Sequence, residues 1–578
     1  MTVRVDQFKG IAPAISPNKL ANGAGVTSTN LRVDAGSLVP EKTSSLIRTL
    51  KTGTKSVYRY EVKDSSGNVT EYWLSSTDEI SFVESPIIQD THKRIYMAGG
   101  AYPAYSPNAV AFNGYSSSND VATNPHLPAV QYRLGVPAPN VAPTVVVTGT
   151  ATGTDVYTSF YVFTFQTAYG EEGPPSAPST LVTFGNSQTK TVTIPTFQSL
   201  ANYAVGSGSG ARINIYRTAT GGSTEFLFVD GIAWGVSTYA DTKNDGQLGE
   251  VMPSTNWFRP PDDDSSYAPD GPLKKFVAMP GGFFAGFTGK NVCVSEQFLP
   301  HAWNPANFLT TESEIVTIQD SIFGLVVLTK TQPYVVTGNS PDSLVLQKLD
   351  ADQACVSAKS VADLGGEVIY ASPDGLISIK GNETRLITEG LITRAQWQTN
   401  YAPSTMVGAV SEGRYYGFYT LNNATYALVY DPLEKDAPFM VLEENATTAH
   451  YISTHVSNAT DLMYYQKDDN LYSFGTGTTN RTGTWESKDY FSPVDGTYAW
   501  GRVLGTFSET AIPRLQIFVI KDGEKTAVVN TDIKDNKAFR LPPKFRVEED
   551  GSSTVSFKLT NITERIDAVM MAGSRVEL

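Results

Sequence analysis

The sequence predicts a mainly β protein: a β-propeller-like platform, an inserted fibronectin type III-like β-sandwich and a β-rich C-terminal segment. Three observations lead there. Short alternating runs recur between Gly/Pro turns, 29 Tyr and 27 Phe accompany 48 Gly and 33 Pro, and charged residues make up only 18% of the chain. Aromatic residues and turn formers with few charges favour sheets over helices. At 578 residues the chain is too long for one hydrophobic core, since domains usually run to ~100–200 residues. We divide it into an N-terminal segment with the first blade or blades at 1–140, the inserted sandwich at 141–252, further propeller-like blades at 253–485 and a C-terminal β segment at 486–578.

Residues 1–50 show punctuation without a period, as in Phe8-Lys-Gly-Ile-Ala-Pro13 and Leu20-Ala-Asn-Gly23. From Lys55 a meander begins. Val57–Val62 and Thr70–Leu74 flank the turn Asp64-Ser-Ser-Gly-Asn68, and Ile80–Val83 and Arg94–Met97 add two strands. Four short antiparallel strands in this space match one propeller blade.

The insert starts at the Pro-punctuated boundary from Tyr132 to Pro143. In Ser159–Ala168, Tyr161, Phe163 and Phe165 face one way and Phe160, Val162 and Thr164 the other. The turn Tyr169–Pro175, the alternating strand Ala211–Arg217 and the closing Thr238–Thr242 complete a unit with sandwich rhythm. After it the meander resumes through Phe283–Phe287, Asn291–Ser295, Ile322–Thr329, Gln332–Val336, Leu344–Lys348, Glu367–Tyr370, Gly375–Lys380, Arg414–Tyr419 and Thr425–Tyr430. Leu391–Gln398 is the best helix candidate. A stack of sandwiches would give a similar strand pattern, and strands such as Arg514–Ile520 and Thr554–Leu559 could complete a blade or form an end domain.

Acidic residues outnumber basic ones by 58 to 44, for a net charge of −14, and no basic run exceeds Lys274-Lys275. Tight nucleic-acid binding needs clustered Lys and Arg to neutralise phosphates, so that class is excluded. No apolar stretch approaches the ~20 residues of a membrane span, and the start lacks the apolar core of a secretion signal. The expectation is a soluble chain made in a cytoplasm. Cys293 and Cys355 sit among apolar neighbours and read as buried free thiols, with a disulfide as the alternative. His92, His126, His301, His450 and His455 are scattered without metal-site spacing.

Gly206-Ser-Gly-Ser-Gly-Ala211 opens a strand and not a helix, so it offers phosphate no helix N-terminus. Asp241-Thr-Lys-Asn-Asp-Gly246 imitates a calcium loop, but Met252 stands where a bidentate Glu is needed. Asp262-Asp-Asp264 reads as solvated linker carboxylates. No catalytic, cofactor-binding or metal-ligating residue is singled out, and the chain reads as a non-enzyme.

The opening Phe8-Lys-Gly10, Pro13, Leu20–Gly23 and Asn30-Leu-Arg-Val-Asp-Ala-Gly-Ser-Leu-Val-Pro-Glu-Lys42 resembles the start of phage tail nozzle proteins, the tail tubular protein B group of short-tailed phages. Gly289–Trp303, with Ser295-Glu296 and Pro300-His-Ala-Trp303, is similar to a strand and Pro-x-x-Trp turn of that family. Gly324–Lys330 with Tyr334–Gly338, Trp485–Lys488 and Ala568–Leu578 resemble it too.

The resemblance implies a virion tail component: a ring, usually a hexamer, docked on a tail adaptor near tail fibres, through which the genome is ejected. DNA would pass transiently and without specificity, and no cofactor is implied. Structural roles follow. Trp303 buries its ring beneath the loop and Glu296 accepts backbone N–H groups, while Gly338 and Gly375 allow tight turns. Two alternatives from other classes are a receptor- or glycan-binding virion protein and a β-propeller polysaccharide-degrading enzyme.

Overall fold

The computed structural model describes residues 2–63, 69–113, 126–222, 224–445, 452–457, 462–491, 498–521, 523–542 and 554–578. Strands dominate; the α-helices among the described residues are Asn108–Ala111 and Arg394–Asn400. The second begins three residues later than expected, because Thr393 and Gln396 form a capping box that fixes its start.

Seven sheets follow one another around the platform. Sheet I is the hairpin Ser56–Lys63 and Val69–Ser76; sheet II joins Ser81–Glu84, Ile95–Ala98, Ala104–Ser106 and Tyr132–Arg133. Sheet III contains Val277–Met279, Phe283–Thr288, Asn291–Val294 and Leu309–Thr310, and sheet IV contains Ile315–Ser321, Gly324–Thr329, Pro333–Thr337 and Val345–Lys348. Sheet V is Ala362–Asp363, Val368–Ala371, Leu376–Lys380 and Glu383–Leu386; sheet VI begins with Val407–Ser411, Arg414–Leu421, Ala424–Tyr430 and Phe439–Asn445. Sheet VII combines Ile452–Ser457, Leu462–Lys467 and Asn470–Ser473 with Ser45–Thr49 from the N-terminal segment.

The first strands of sheets II to VII touch in succession, and the first strand of VII touches that of I. Sheets I and II meet through the stacked Tyr58 and Phe82 rings, with centroids 5.7 Å apart, so the succession returns to its start. Ser45–Thr49 fastens the last sheet to the chain segment that opens the first.

Alternation explains why these residues pack this way. On Gly324–Thr329, Leu325 and Val327 enter the core shared with sheet III, whereas Val326 and Leu328 enter the one shared with sheet V. Successive strand side chains point to opposite faces, so a sheet covered on both sides needs an unbroken apolar run. Phe283 and Phe284 divide in the same way between neighbouring cores.

One expectation is corrected. The four strands between Val57 and Met97 form two sheets and not one blade. Ile80 N donates to Ser56 Oγ at 2.8 Å, and that hydroxyl donates to Asp78 O at 2.8 Å. These bonds draw the chain inward beside the first strand of sheet I, so a new first strand begins there. The turn Asp64–Asn68 lies outside the described residues.

The termini share a second β body. Leu31–Asp34, Ser37–Pro40, Ile566–Ala572, Trp500–Gly505 and Phe539–Arg540 form one sheet, with Thr2–Val5 paired to Ile566–Ala572. Sheet VI extends through Gly25–Thr29, Gly483–Ser487, Thr554–Ile562, Arg514–Lys521 and Glu524–Asp532. The C-terminal strands therefore pair largely with one another and with the N-terminal segment.

The insert packs Thr144–Thr148, Thr189–Thr193 and Thr238–Asp241 against Tyr161–Gln166, Arg212–Thr218 and Phe226–Ala233. Tyr161, Phe163 and Phe165 fill its main core, and Val162 joins Tyr216 and Met252 in a smaller one behind.

Candidate functional site

The densest polar chemistry lies where the sandwich meets the platform. Arg94, at the end of the loop before Ile95–Ala98, directs Nε to Asp90 Oδ2 and Nη1 to Glu171 Oε1, both at 2.9 Å. Asp90 also accepts the backbone N–H groups of His92 and Arg94, at 3.0 and 3.1 Å. Burial works against the Asp90 carboxylate, but the hydrogen bond and charge of Arg94 hold it below its ordinary value. Glu171 sits in the sandwich turn and is 2% exposed; burial raises its pKa despite Arg94. The Tyr169 ring meets His92 edge-on at 4.9 Å beside this pair.

A second group anchors the linker. Arg133 Nη2 reaches Asp262 Oδ2 at 2.9 Å and Asp263 Oδ1 at 2.5 Å, and its guanidinium lies 4.2 Å from the Tyr102 ring centroid. Arg259 contacts Asp262 at 3.2 Å and Asp264 at 2.7 Å. The solvated reading is corrected for Asp262, which is 4% exposed and held between two guanidinium groups, while Asp263 and Asp264 keep exposed side chains. Beside them opens a cleft of about 680 Å³, lined by Tyr203, Phe258, Tyr267, Gln198, Asp263 and Asp264 among others.

Inside the sandwich, the calcium-like run is occupied by protein cations. Asp241 Oδ2 lies 3.2 Å from Arg217 Nε and 3.6 Å from Lys190 Nζ, and accepts the Tyr161 hydroxyl at 2.6 Å. Asp245 accepts from Arg217 Nη1 at 2.7 Å and from the Thr220 backbone N at 2.9 Å. These carboxylates hold the sandwich together. Gly206–Gly210 precedes the strand Arg212–Thr218, as expected.

The other singled-out residues are structural in their contacts. Trp303 is fully buried and donates Nε1–H to Pro300 O at 2.9 Å. Glu296 accepts the Leu299 backbone N–H through its carbonyl oxygen at 3.2 Å and donates its own N–H to Ala302 O at 2.8 Å, while its carboxylate accepts from the Asn307 side chain at 3.4 Å. Gly338 has φ +139°, whereas Gly375 is needed for close approach, because a Cβ there would lie 1.8 Å from Thr388 Oγ1.

Cys293 and Cys355 are buried free thiols. Burial raises both, Cys355 to about 12. His301 is pushed down to about 3 by burial, with Arg94 adding to the effect, and its ring packs against Trp257 at 5.8 Å. It is therefore a neutral packing residue. His450 lies outside the described residues, as does the side chain of His455. No metal-holding group of His, Cys, Asp or Glu occurs among the described residues, and no described helix is long and apolar enough to cross a membrane.

Sequence reasoning missed the contacts that cross between segments because those partners are remote: Arg133 and Asp262 are 129 positions apart, and Arg94 and Glu171 are 77 apart. The ion-pairing capacity of Arg94 and Arg133 carries no local motif.

No family model matches the chain, and no curated protein does. Among solved structures, the extracellular domain of a hybrid two-component system from B. thetaiotaomicron is similar at 11% identity and TM-score 0.27, over 94% of this chain and 78% of that one. PorZ of the type-IX secretion system of Porphyromonas gingivalis is similar at 9% identity and TM-score 0.25, over 95% and 88%. An exo-β-1,3-galactanase from Phanerochaete chrysosporium is similar at 10% identity and TM-score 0.16, over 89% and 99%. Likeness at this level transfers no activity.

Proposed function

We propose that this chain is a structural component of a phage tail, a nozzle-type subunit that assembles as a ring and surrounds the path of the ejected genome. The observation that carries this reading is the junction, where Arg94 ties the platform to Glu171 of the sandwich and Arg133 and Arg259 hold the linker between them through Asp262–Asp264. Charges neutralised inside the fold suit an immobile part that bears load. Resemblance to tail nozzle proteins supplies the context, and a net charge of −14 suits a conduit to which DNA should not adhere. Closed rings require one heterologous interface repeated about an axis. Electron microscopy of the purified protein with its tail adaptor tests the reading: rings of uniform size are expected, and protein that stays monomeric even on the adaptor would overturn it.

One observation favours a second reading, glycan binding. The 680 Å³ cleft combines the Tyr203, Phe258 and Tyr267 rings with carboxylates and a side-chain amide, the mixture that stacks on and hydrogen-bonds to sugars. Binding of host surface polysaccharide that is lost on Tyr267→Ala would support it; equal binding by the variant would sink it.

A further inference from the structure

The first strands of the sheets line the inside of the succession, so each fourth strand is an outer edge that the fold must cover or blunt. The sandwich covers that of sheet II, where Arg133 N donates to Asn202 O at 2.7 Å. The outer strand of sheet VI continues into Gly25–Thr29. Sheet III ends on the short Leu309–Thr310, and sheet V exposes Glu383 and Arg385, charges that blunt an edge. Sheets IV and VII differ. Val345 in the outer strand of one, and Leu46 and Ile47 in that of the other, stand open to solvent.

At sheet IV these openings form a patch. Ile322 and Phe323 are the tip of its first hairpin, and Ile322 is 77% exposed. Gly324, next in the chain, lies so near Thr337 that a Cβ would sit 3.3 Å from Thr337 Cγ2, and Thr337 pairs with Val345. Exposed Phe298 joins from sheet III. Its N–H donates to Gly282 O at 2.8 Å, and a Cβ on Gly281 would lie 2.7 Å from Asn339 O in sheet IV. At sheet VII a register shift leaves Ile47 unpaired beside Leu46, which is 57% exposed. That bulge spoils the edge for backbone pairing, so contact there is made through side chains.

The two patches differ in charge. Glu296, Asp342, Asp320 and Asp363 surround the first, and none of them forms an ion pair among the described residues. Asn307 donates to both Glu296 and Asp342, Gln319 to Asp320, and the Gly366 N–H to Asp363. Burial raises Glu296, with the Asp342 charge adding to it; burial also raises Asp363, with Asp320 adding to it. The cations nearby are Lys275, whose charge interacts with Asp320, and exposed Lys380 beside Gly381, so the acids are in excess. Around the second patch, the run Lys42 to Lys51 holds three basic residues and no acid. Arg48 lies over the Trp73 ring and feels Glu71, while Asp469 accepts from Thr52 and from the Gly53 N–H. Lys42, Arg48 and Lys51 form no ion pair among the described residues.

Sheets IV and VII are three steps apart in a succession of seven, so the patches face nearly opposite ways. Each complements the other and not itself. We propose that the sheet VII patch of one copy docks on the sheet III–IV patch of the next, as the heterologous contact that repeats around the ring. This rests on the ring reading. Leu46 and Ile47 supply the apolar centre from one side, and Phe298, Ile322, Phe323 and Val345 from the other, within a charged rim.

Sedimentation velocity of the full chain tests this, with tail adaptor added where the parent needs it to close. Phe323→Asp and Leu46→Asp should each weaken association about 30-fold or more, the loss of a central anchor. Both side chains reach solvent, so the melting temperature should stay near the parent's. An equimolar mixture of the two variants keeps one intact contact and should give a pair of chains and nothing larger. The milder Ile322→Ser and Ile47→Ser should show the same pattern with a smaller loss. Rings that form undiminished in the variants, variants that each pair alone, or a mixture that stays monomeric would overturn the assignment and leave the ring reading standing. A parent that stays monomeric overturns both.

Discussion

Replacing Arg94 by Met tests whether the junction clamps the sandwich. Arg94 holds Asp90 and Glu171 at 2.9 Å each, and both carboxylates are nearly inaccessible to water. At an effective dielectric constant near 20, each contact contributes up to about 5–6 kcal/mol of gross attraction. Much of that is cancelled by dehydrating the ions, and breaking one partner of a buried pair costs about 3–5 kcal/mol net. A chain with several cores does not unfold in two states, so the loss should be read locally. Hydrogen exchange at Thr167 and Gly173, whose backbone N–H groups donate to Glu171 O and Phe165 O, is the assay.

Protection there should fall by about 100-fold or more in Arg94→Met, since every 1.4 kcal/mol is a factor of ten. Arg94→Met with Glu171→Met should recover most of it, because an apolar pair leaves no orphan charge. The pH dependence has a definite sign. Glu171 has a folded pKa raised above 4.5, so its contribution to stability is fully present below that value and is lost as pH rises through the folded pKa. Without Arg94 the folded pKa rises further, and the variant's deficit should therefore shrink as pH falls from 8 towards 5. A loss under tenfold, or a double variant no better than the single, would refute the argument.

Three further outcomes are expected. The Lys275 pKa is lowered to about 8, chiefly by burial, with Asp320 and Cys355 offsetting it; its charged form therefore costs stability below that pH, and the cost disappears as pH rises to 10.5. Urea denaturation should show the parent gaining roughly 2 kcal/mol on Lys275→Met between pH 8 and 10.5, a figure reduced for the water reaching its stem, and a flat difference would contradict this. Cys293 and Cys355 should react with a thiol-specific disulfide reagent only as fast as the chain opens, with rapid labelling of the native protein as the contrary result. Gly375→Ala should cost about 1–3 kcal/mol by overpacking against Thr388, with part regained on adding Thr388→Ala; melting curves that do not shift would discount the clash.

The sequence made strands legible where packing is local. Leu325 to Leu328 reads as an apolar run because sheets cover both of its faces, and Tyr161, Phe163 and Phe165 share a face because side chains alternate. Partners were not legible. Nothing within Thr2–Val5 specifies Ile566–Ala572, nor does Ser45–Thr49 announce Asn470–Ser473, since periodicity fixes which face is buried and not which strand lies alongside. The same blindness affected charge. Asp262 read as solvated because one of its two arginines, Arg133, lies 129 positions away, although Arg259 is only three residues before it.

Charge acts at the junction as a bolt between segments that the sequence separates. At the junction each guanidinium faces carboxylates within hydrogen-bond reach, so an added ion would have to break contacts that already compensate one another. The junction should therefore resist salts and ligands alike.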